Sequence, residues 1–218
     1  MTVLLLHALP LDERMWESQR DAFGEVVAPR LYGRGSSMAE WARGILEEVE
    51  GDFAAVGASM GGYCALELVR QAPERVRALV LAGARVDADT PERREGRAKT
   101  IGLIREGGAE ALWEDMRPKL FRPGDTEAVA FARGLALEQR PGELVAAVEA
   151  IRDRRDSSDV VAGFDRPVLF VAGRDDPFVS PEEAPPGAEV RPFDTGHLPS
   201  LERPDEFDAV VAEFLARV

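Results

Sequence analysis

Between Phe53 and Gly62 the chain reads Phe-Ala-Ala-Val-Gly-Ala-Ser-Met-Gly-Gly, and no other stretch restricts the fold as much. Phe53–Gly57 is a short apolar run, the pattern of a strand buried on both faces, because covered parallel strands show no polar alternation. Gly57-Ala58-Ser59-Met60-Gly61 follows at once, and then Ala65, Leu66, Leu68 and Val69 fall at helical spacing. A chain that passes from strand to helix in so few residues must turn sharply. The flanking positions then leave no room for side chains, which glycine satisfies. Such a turn lifts the Ser59 hydroxyl above the sheet, beside a helix N-terminus. There the helix dipole and the Met60 amide favour developing negative charge. The pentapeptide alone is common, but its place between a buried strand and a helix marks Ser59 as a nucleophile.

Other apolar runs predict further strands at Thr2–Leu6, Val26–Ala28, Arg77–Ala82, Val168–Ala172 and, more weakly, Glu189–Phe193. Helical patterns separate them. Trp41, Ile45, Leu46 and Val49 form one, and Phe207, Val210, Val211, Phe214 and Leu215 form another after Pro204. This alternation predicts an α/β fold with a mostly parallel sheet flanked by helices, and active loops at the carboxyl ends of the strands. From about Thr90 to Phe164 the pattern is helical throughout, with Thr90-Pro91-Glu92 starting one helix and Gly107-Gly108 ending it. Further helices are expected from about Asp125 to Arg140 and after Pro141. The expected organisation is one domain over residues 1–218, with residues 90–164 inserted in it as a helical lid above the active-site end.

At 218 residues one sizeable domain is the natural count. A formal charge of −13 repels phosphate backbones and anionic membrane surfaces, so neither nucleic acid nor a membrane is an expected partner. Val3–Leu6 is too short for a membrane span or a secretory leader. Cys64 is the one cysteine; it excludes an intramolecular disulfide and fits a reducing, cytoplasmic setting. Its apolar helical position reads as packing. No metal-ligand spacing and no phosphate-cradling glycine loop occurs, so no metal or cofactor is expected.

A serine hydroxyl needs a base within hydrogen-bond reach. Of the two histidines, His197 lies in Thr195-Gly196-His197-Leu198-Pro199, a loop between the last strand and the last helix, where a base can reach Ser59. A carboxylate that orients it belongs just past a strand end. Val168–Ala172 runs into Gly173-Arg174-Asp175-Asp176-Pro177, which leaves Asp175 and Asp176 as candidates. Asp153, Asp156 and Asp159 read as helix-end charges, and Asp12 as an N-cap.

Taken together, several segments resemble the α/β-hydrolase family, near its small esterases and enol-lactonase-like members. They are Leu5-Leu6-His7-Ala8-Leu9-Pro10 with Trp16, Ala28–Ser36, the turn at Ser59, Gly173–Pro177, and Gly196-His197-Leu198 with Glu202-Arg203-Pro204. The resemblance spans nearly the whole chain and is silent about substrate. It implies the order Ser, Asp, His along the chain, and its Gly-x-x-Asp spacing selects Asp176. It also implies the backbone amides of Leu9 and Met60 as oxyanion donors, and a structural His7 that shapes the oxyanion loop. Two departures stand out. Ala8 replaces the family's glycine after His7, and Arg30 replaces its usual Asp. Relatives carry two earlier strands, so a smaller sheet of about six is expected here. The implied activity is acyl transfer from a small-molecule ester or lactone to water, with no cofactor. Carbon–carbon hydrolysis, perhydrolase chemistry and a ligand receptor with little turnover are the alternatives. Ile101, Ile104, Leu112, Trp113, Met116, Leu120 and Phe121 are expected to form an apolar ceiling in the lid or to pack as core.

Overall fold

The computed structural model describes residues 1–218. Six parallel strands form one sheet: β1 Thr2–Leu6, β2 Val26–Val27, β3 Phe53–Ala58, β4 Val76–Ala82, β5 Val168–Gly173 and β6 Glu189–Phe193. Their order is β2-β1-β3-β4-β5-β6. The chain therefore leaves β1 toward one edge, returns, and continues on the other side of β1. That reversal opens a crevice at the carboxyl ends of β1 and β3, where ligands bind in open α/β sheets.

Successive side chains along each strand enter different cores. Leu4, Leu6, Phe53, Ala55, Leu79, Leu81 and Phe170 pack on one face, while Val3, Leu5, Ala54, Val56, Val80, Leu169 and Val171 pack on the other. This is why the runs lack alternation: both faces are covered. Each buried Leu or Val contributes about 1.5–3 kcal/mol relative to exposure, so the central strands are the most firmly held part of the chain.

The flanking helices are α1 Met38–Glu48 and α2 Met60–Gln71, and near the C-terminus α7 Pro199–Glu202 and α8 Pro204–Leu215. Between β4 and β5 lies an all-helical insertion: α3 Pro91–Leu120, α4 Thr126–Leu137, α5 Pro141–Arg152 and α6 Ser158–Ala162. Thr90 caps α3 by accepting from the Arg93 amide, and Asp125 caps α4 by accepting from Ala128. The expected end at Gly107-Gly108 is a break instead. Gly108 takes φ 66° and ψ −152°, a conformation open essentially to glycine, and a second arm of α3 continues to Leu120. No helix is long and apolar enough to cross a membrane.

Candidate active site

Ser59 stands between β3 and α2 at φ 48° and ψ −111°, the one non-glycine residue with positive φ. Its amide donates to the Ala82 carbonyl at 2.7 Å and its carbonyl accepts from Gly62 and Tyr63, so the turn is tied to β4 and to the first turn of α2. The close approach explains the glycines. A Cβ on Gly61 would overlap the Leu6 carbonyl, and one on Gly57 would overlap the Gly61 carbonyl. Holding a serine in this backbone conformation costs on the order of 1–3 kcal/mol, which the packed strands on either side sustain.

His197 and Asp176 come together from different loops. Asp176 Oδ2 lies 2.7 Å from His197 Nδ1, and both side chains are almost wholly buried. The other carboxylate oxygen, Oδ1, accepts the amides of Phe178 at 2.8 Å and Val179 at 3.3 Å, which fixes the group in one orientation. The Phe178 ring meets the imidazole edge-on, 4.7 Å between centroids. Asp175 points elsewhere: its carboxylate is mostly exposed and pairs with Arg122 Nε at 2.9 Å. The loops after β5 and β6 are pressed together, since a Cβ on Gly173 would coincide with the Gly196 carbonyl.

The His197 loop has a further anchor that the sequence did not reveal. Glu202 is buried, and its two oxygens accept the amides of Gly196 at 2.8 Å and Arg122 at 3.1 Å. Desolvation raises its pKa above the ordinary glutamate value. The His197 amide donates to the Leu120 carbonyl at 2.9 Å. Both contacts tie the His197 loop to the end of α3.

On the other side of Ser59, the loop after β1 brings up Leu9. Its amide has no backbone acceptor, and the Met60 amide, first in α2, has no preceding helical turn to donate to. Ala8, in the family's glycine position, does not need positive φ. Its amide contacts Met15 Sδ at 3.2 Å. His7 is fully buried, with Nε2 accepting the Leu31 amide at 2.9 Å and Nδ1 3.2 Å from the Ala8 carbonyl. Burial lowers its pKa to about 4, so at neutral pH it is an uncharged strut. Arg30 lies over the Tyr32 ring and reaches Gln139 at 2.8 Å and Glu143 at 3.0 Å, tying the loop after β2 to the insertion. Asp12 accepts from the Arg14 amide and caps the short 3₁₀ turn Glu13–Trp16.

Ser59 and His197 line one small cavity of about 30 Å³, closed by Leu9, Tyr63 and Phe178 and by Arg97, Met116 and Ile151 of the insertion. Space of about 10–15 Å³ suffices for one water, so the cavity is nearly shut. A roomier cleft of about 940 Å³ runs past Arg122, Asp125 and Phe131, and neither Ser59 nor His197 reaches it. Of the apolar insertion residues expected to form a ceiling, Met116 alone lines the cavity. Ile101, Ile104, Leu112, Trp113, Leu120 and Phe121 are core.

A parallel sheet with this reversal of strand order, a serine on a strained strand-to-helix turn and a buried His–Asp pair facing the same crevice define a hydrolase of the α/β kind. The chain belongs to the alpha/beta hydrolase family, whose profile matches residues 3–210. It is 30% identical to a thermophilic esterase from Thermogutta terrifontis with malate bound, with a TM-score of 0.90 over 100% of this chain and 90% of that one. It is 29% identical over 199 residues to a 2-hydroxy-6-oxononadienedioate/2-hydroxy-6-oxononatrienedioate hydrolase from a Pseudomonas species, covering 84% of this chain and 70% of that protein. A pimeloyl-[acyl-carrier protein] methyl ester esterase from Aromatoleum aromaticum is 29% identical, covering 99% of this chain and 98% of that protein.

Proposed function

We propose that the protein hydrolyses a carboxylic ester or lactone of a small molecule through an acyl-enzyme on Ser59. The observation that carries this reading is the 2.7 Å contact of His197 Nδ1 with Asp176, beside a Ser59 held at positive φ in the same cavity. Asp176 keeps the proton on Nδ1, which leaves Nε2 free to take the proton of the Ser59 hydroxyl as Oγ attacks the ester carbonyl. The oxyanion forms against the amides of Leu9 and Met60. Protonated His197 then gives its proton to the leaving alcohol. Water, activated by the same imidazole, cleaves the acyl-enzyme in the second half-reaction.

The helical insertion is the lid of this site. Arg97, Met116 and Ile151 reach the cavity from α3 and α5, and about 30 Å³ admits no ester, so these helices must give before substrate enters. Carbon–carbon hydrolysis on the same residues is the second reading, favoured by the likeness to the Pseudomonas hydrolase.

A serine-directed phosphonate should label the protein once, at Ser59, and Ser59→Ala should lower ester turnover by about 10⁶ if the three side chains act as a unit. Unlabelled Ser59, or activity retained in purified Ser59→Ala protein, would remove this reading. Rapid turnover of para-nitrophenyl esters separates an enzyme from a receptor. Comparing them with a vinylogous diketone separates ester from carbon–carbon cleavage.

A further inference from the structure

Among the side chains around the cavity, Arg97 alone carries a fixed charge. Its protein partner is Asp89, with Arg97 Nε 3.1 Å from Oδ2. That carboxylate is already claimed. Arg154, buried like Asp89, reaches Oδ1 at 2.6 Å, and Arg93 stands 3.9 Å away.

One buried carboxylate therefore faces three guanidinium groups. Arg154 also donates from its Nη groups to the carbonyls of Ile151 and Asp87 and stacks on the Tyr63 ring, 4.2 Å to the centroid. Arg93 is drawn off by Asp87, which Arg85 shares. No carboxylate lines the cavity, and Asp176, behind His197, is turned to that ring. Arg97 Nη1 and Nη2 have no acceptor in the protein, although the side chain is only 24% exposed. Two such donors match the two oxygens of a carboxylate.

We propose that Arg97 is a specificity-determining residue that binds a free carboxylate on the substrate, so that the preferred substrates are monoesters of short dicarboxylic acids. This rests on the ester-hydrolase reading of Ser59. The ester carbonyl sits at Ser59 and the far carboxylate pairs with the open edge of Arg97, across the apolar wall of Met116 and Ile151.

The test compares para-nitrophenyl monoesters of glutaric and adipic acid with uncharged isosteres in which an isopropyl group replaces the free carboxylate. Wild type, Arg97→Lys and Arg97→Gln are assayed, with thermal melts to establish folding. Wild type should favour the acidic esters by about 10- to 100-fold in kcat/KM, mostly through KM. Arg97→Gln should bring the ratio to about one, and Arg97→Lys should keep part of it, because a point charge retains attraction without the fork. A wild-type ratio at or below one overturns the proposal, whether or not the variants fold. So does an equal fall of both esters in folded Arg97→Gln. Calorimetric binding of the adipate monoester to Ser59→Ala separates the two readings. Binding that depends on Arg97, with no turnover of any ester by wild type, upholds the anion site and refutes ester hydrolysis. Brisk turnover of both esters without preference upholds hydrolysis and refutes the anion site.

Discussion

Asp176 and Asp175 are neighbours in sequence and turn to opposite partners: the first to His197 Nδ1 at 2.7 Å, the second to Arg122 Nε at 2.9 Å. Side chains that alternate past the end of β5 cannot both face the imidazole. Two backbone amides hold Asp176 from behind, whereas Asp175 lies mostly in solvent. Asp176→Asn should therefore leave the packing intact and cost about 10⁴ in kcat, by analogy with the serine-protease triad. Asp175→Asn should cost no more than a few-fold, since exposed ion pairs contribute about 0–1 kcal/mol. Steady-state kinetics on both variants decides the assignment, and a larger loss at Asp175 would reverse it.

Much of the fold could be read from the sequence because short apolar runs bounded by turns alternate with longer segments of helical spacing, which assigns the runs to buried parallel strands. β1 and β6 begin and end at the residues the pattern predicts, and β3 and β5 each run one small residue further. The second arm of α3 was not legible. Gly107-Gly108 looks like a helix stop, and only tertiary packing makes it a bend with helix on both sides. The contacts of Arg97 and Glu202 are not legible for a different reason. A charged side chain reads as solvated until its partners are known, and no helical spacing announces these: Asp89, eight residues before Arg97 and outside its helix, and the backbone amides of Gly196 and Arg122 for Glu202. Which apolar insertion residue faces the cavity was equally hidden, since a helix face that meets the core and one that meets a ligand have the same pattern.

Ser59 sits where glycine would be at ease, so activity and stability should part company there. Ser59→Gly removes strain of about 1–3 kcal/mol and adds chain entropy to the unfolded state of roughly 0.5–1 kcal/mol. A net gain near ~1 kcal/mol corresponds to a rise of about 2–4 °C in Tm for a chain of this size. The same variant should be inactive. Calorimetry showing a clear fall in Tm would mean that the serine conformation is not strained as its φ of 48° implies.

The two histidines should answer differently to substitution and to acid. His197→Ala should lose turnover as fully as Ser59→Ala, while His7→Ala should mainly weaken the oxyanion loop and keep measurable activity. Burial holds His7 at a pKa of about 4, below its unfolded value of 6.5. The unfolded chain thus takes up this proton first as pH falls. The stability His7 contributes is complete above about pH 6.5 and is lost on the way down to pH 4, roughly 3 kcal/mol in all. His7→Gln keeps an acceptor for the Leu31 amide and has no titrating group, so its denaturation curves should shift less between pH 7 and pH 4 than those of wild type. Parallel acid dependence in the two proteins would show that His7 is not held neutral by burial.

Glu202 helps to join the insertion to the loop that carries His197. Each oxygen accepts one backbone amide, from Gly196 beside His197 and from Arg122 just past α3, and His197 itself donates to the Leu120 carbonyl. Glutamine cannot reproduce this, because its amide group would set a donor against one of the two N–H groups. An unsatisfied buried donor costs about 1–3 kcal/mol. Glu202→Gln should lower Tm and, because it loosens the loop that carries the base, reduce kcat by about 10-fold while KM changes little. A purely structural role would lower Tm alone, with kcat per folded molecule unchanged well below the melting range. Kinetics at low temperature on folded protein therefore distinguishes a residue that positions His197 from one that only stabilises the fold.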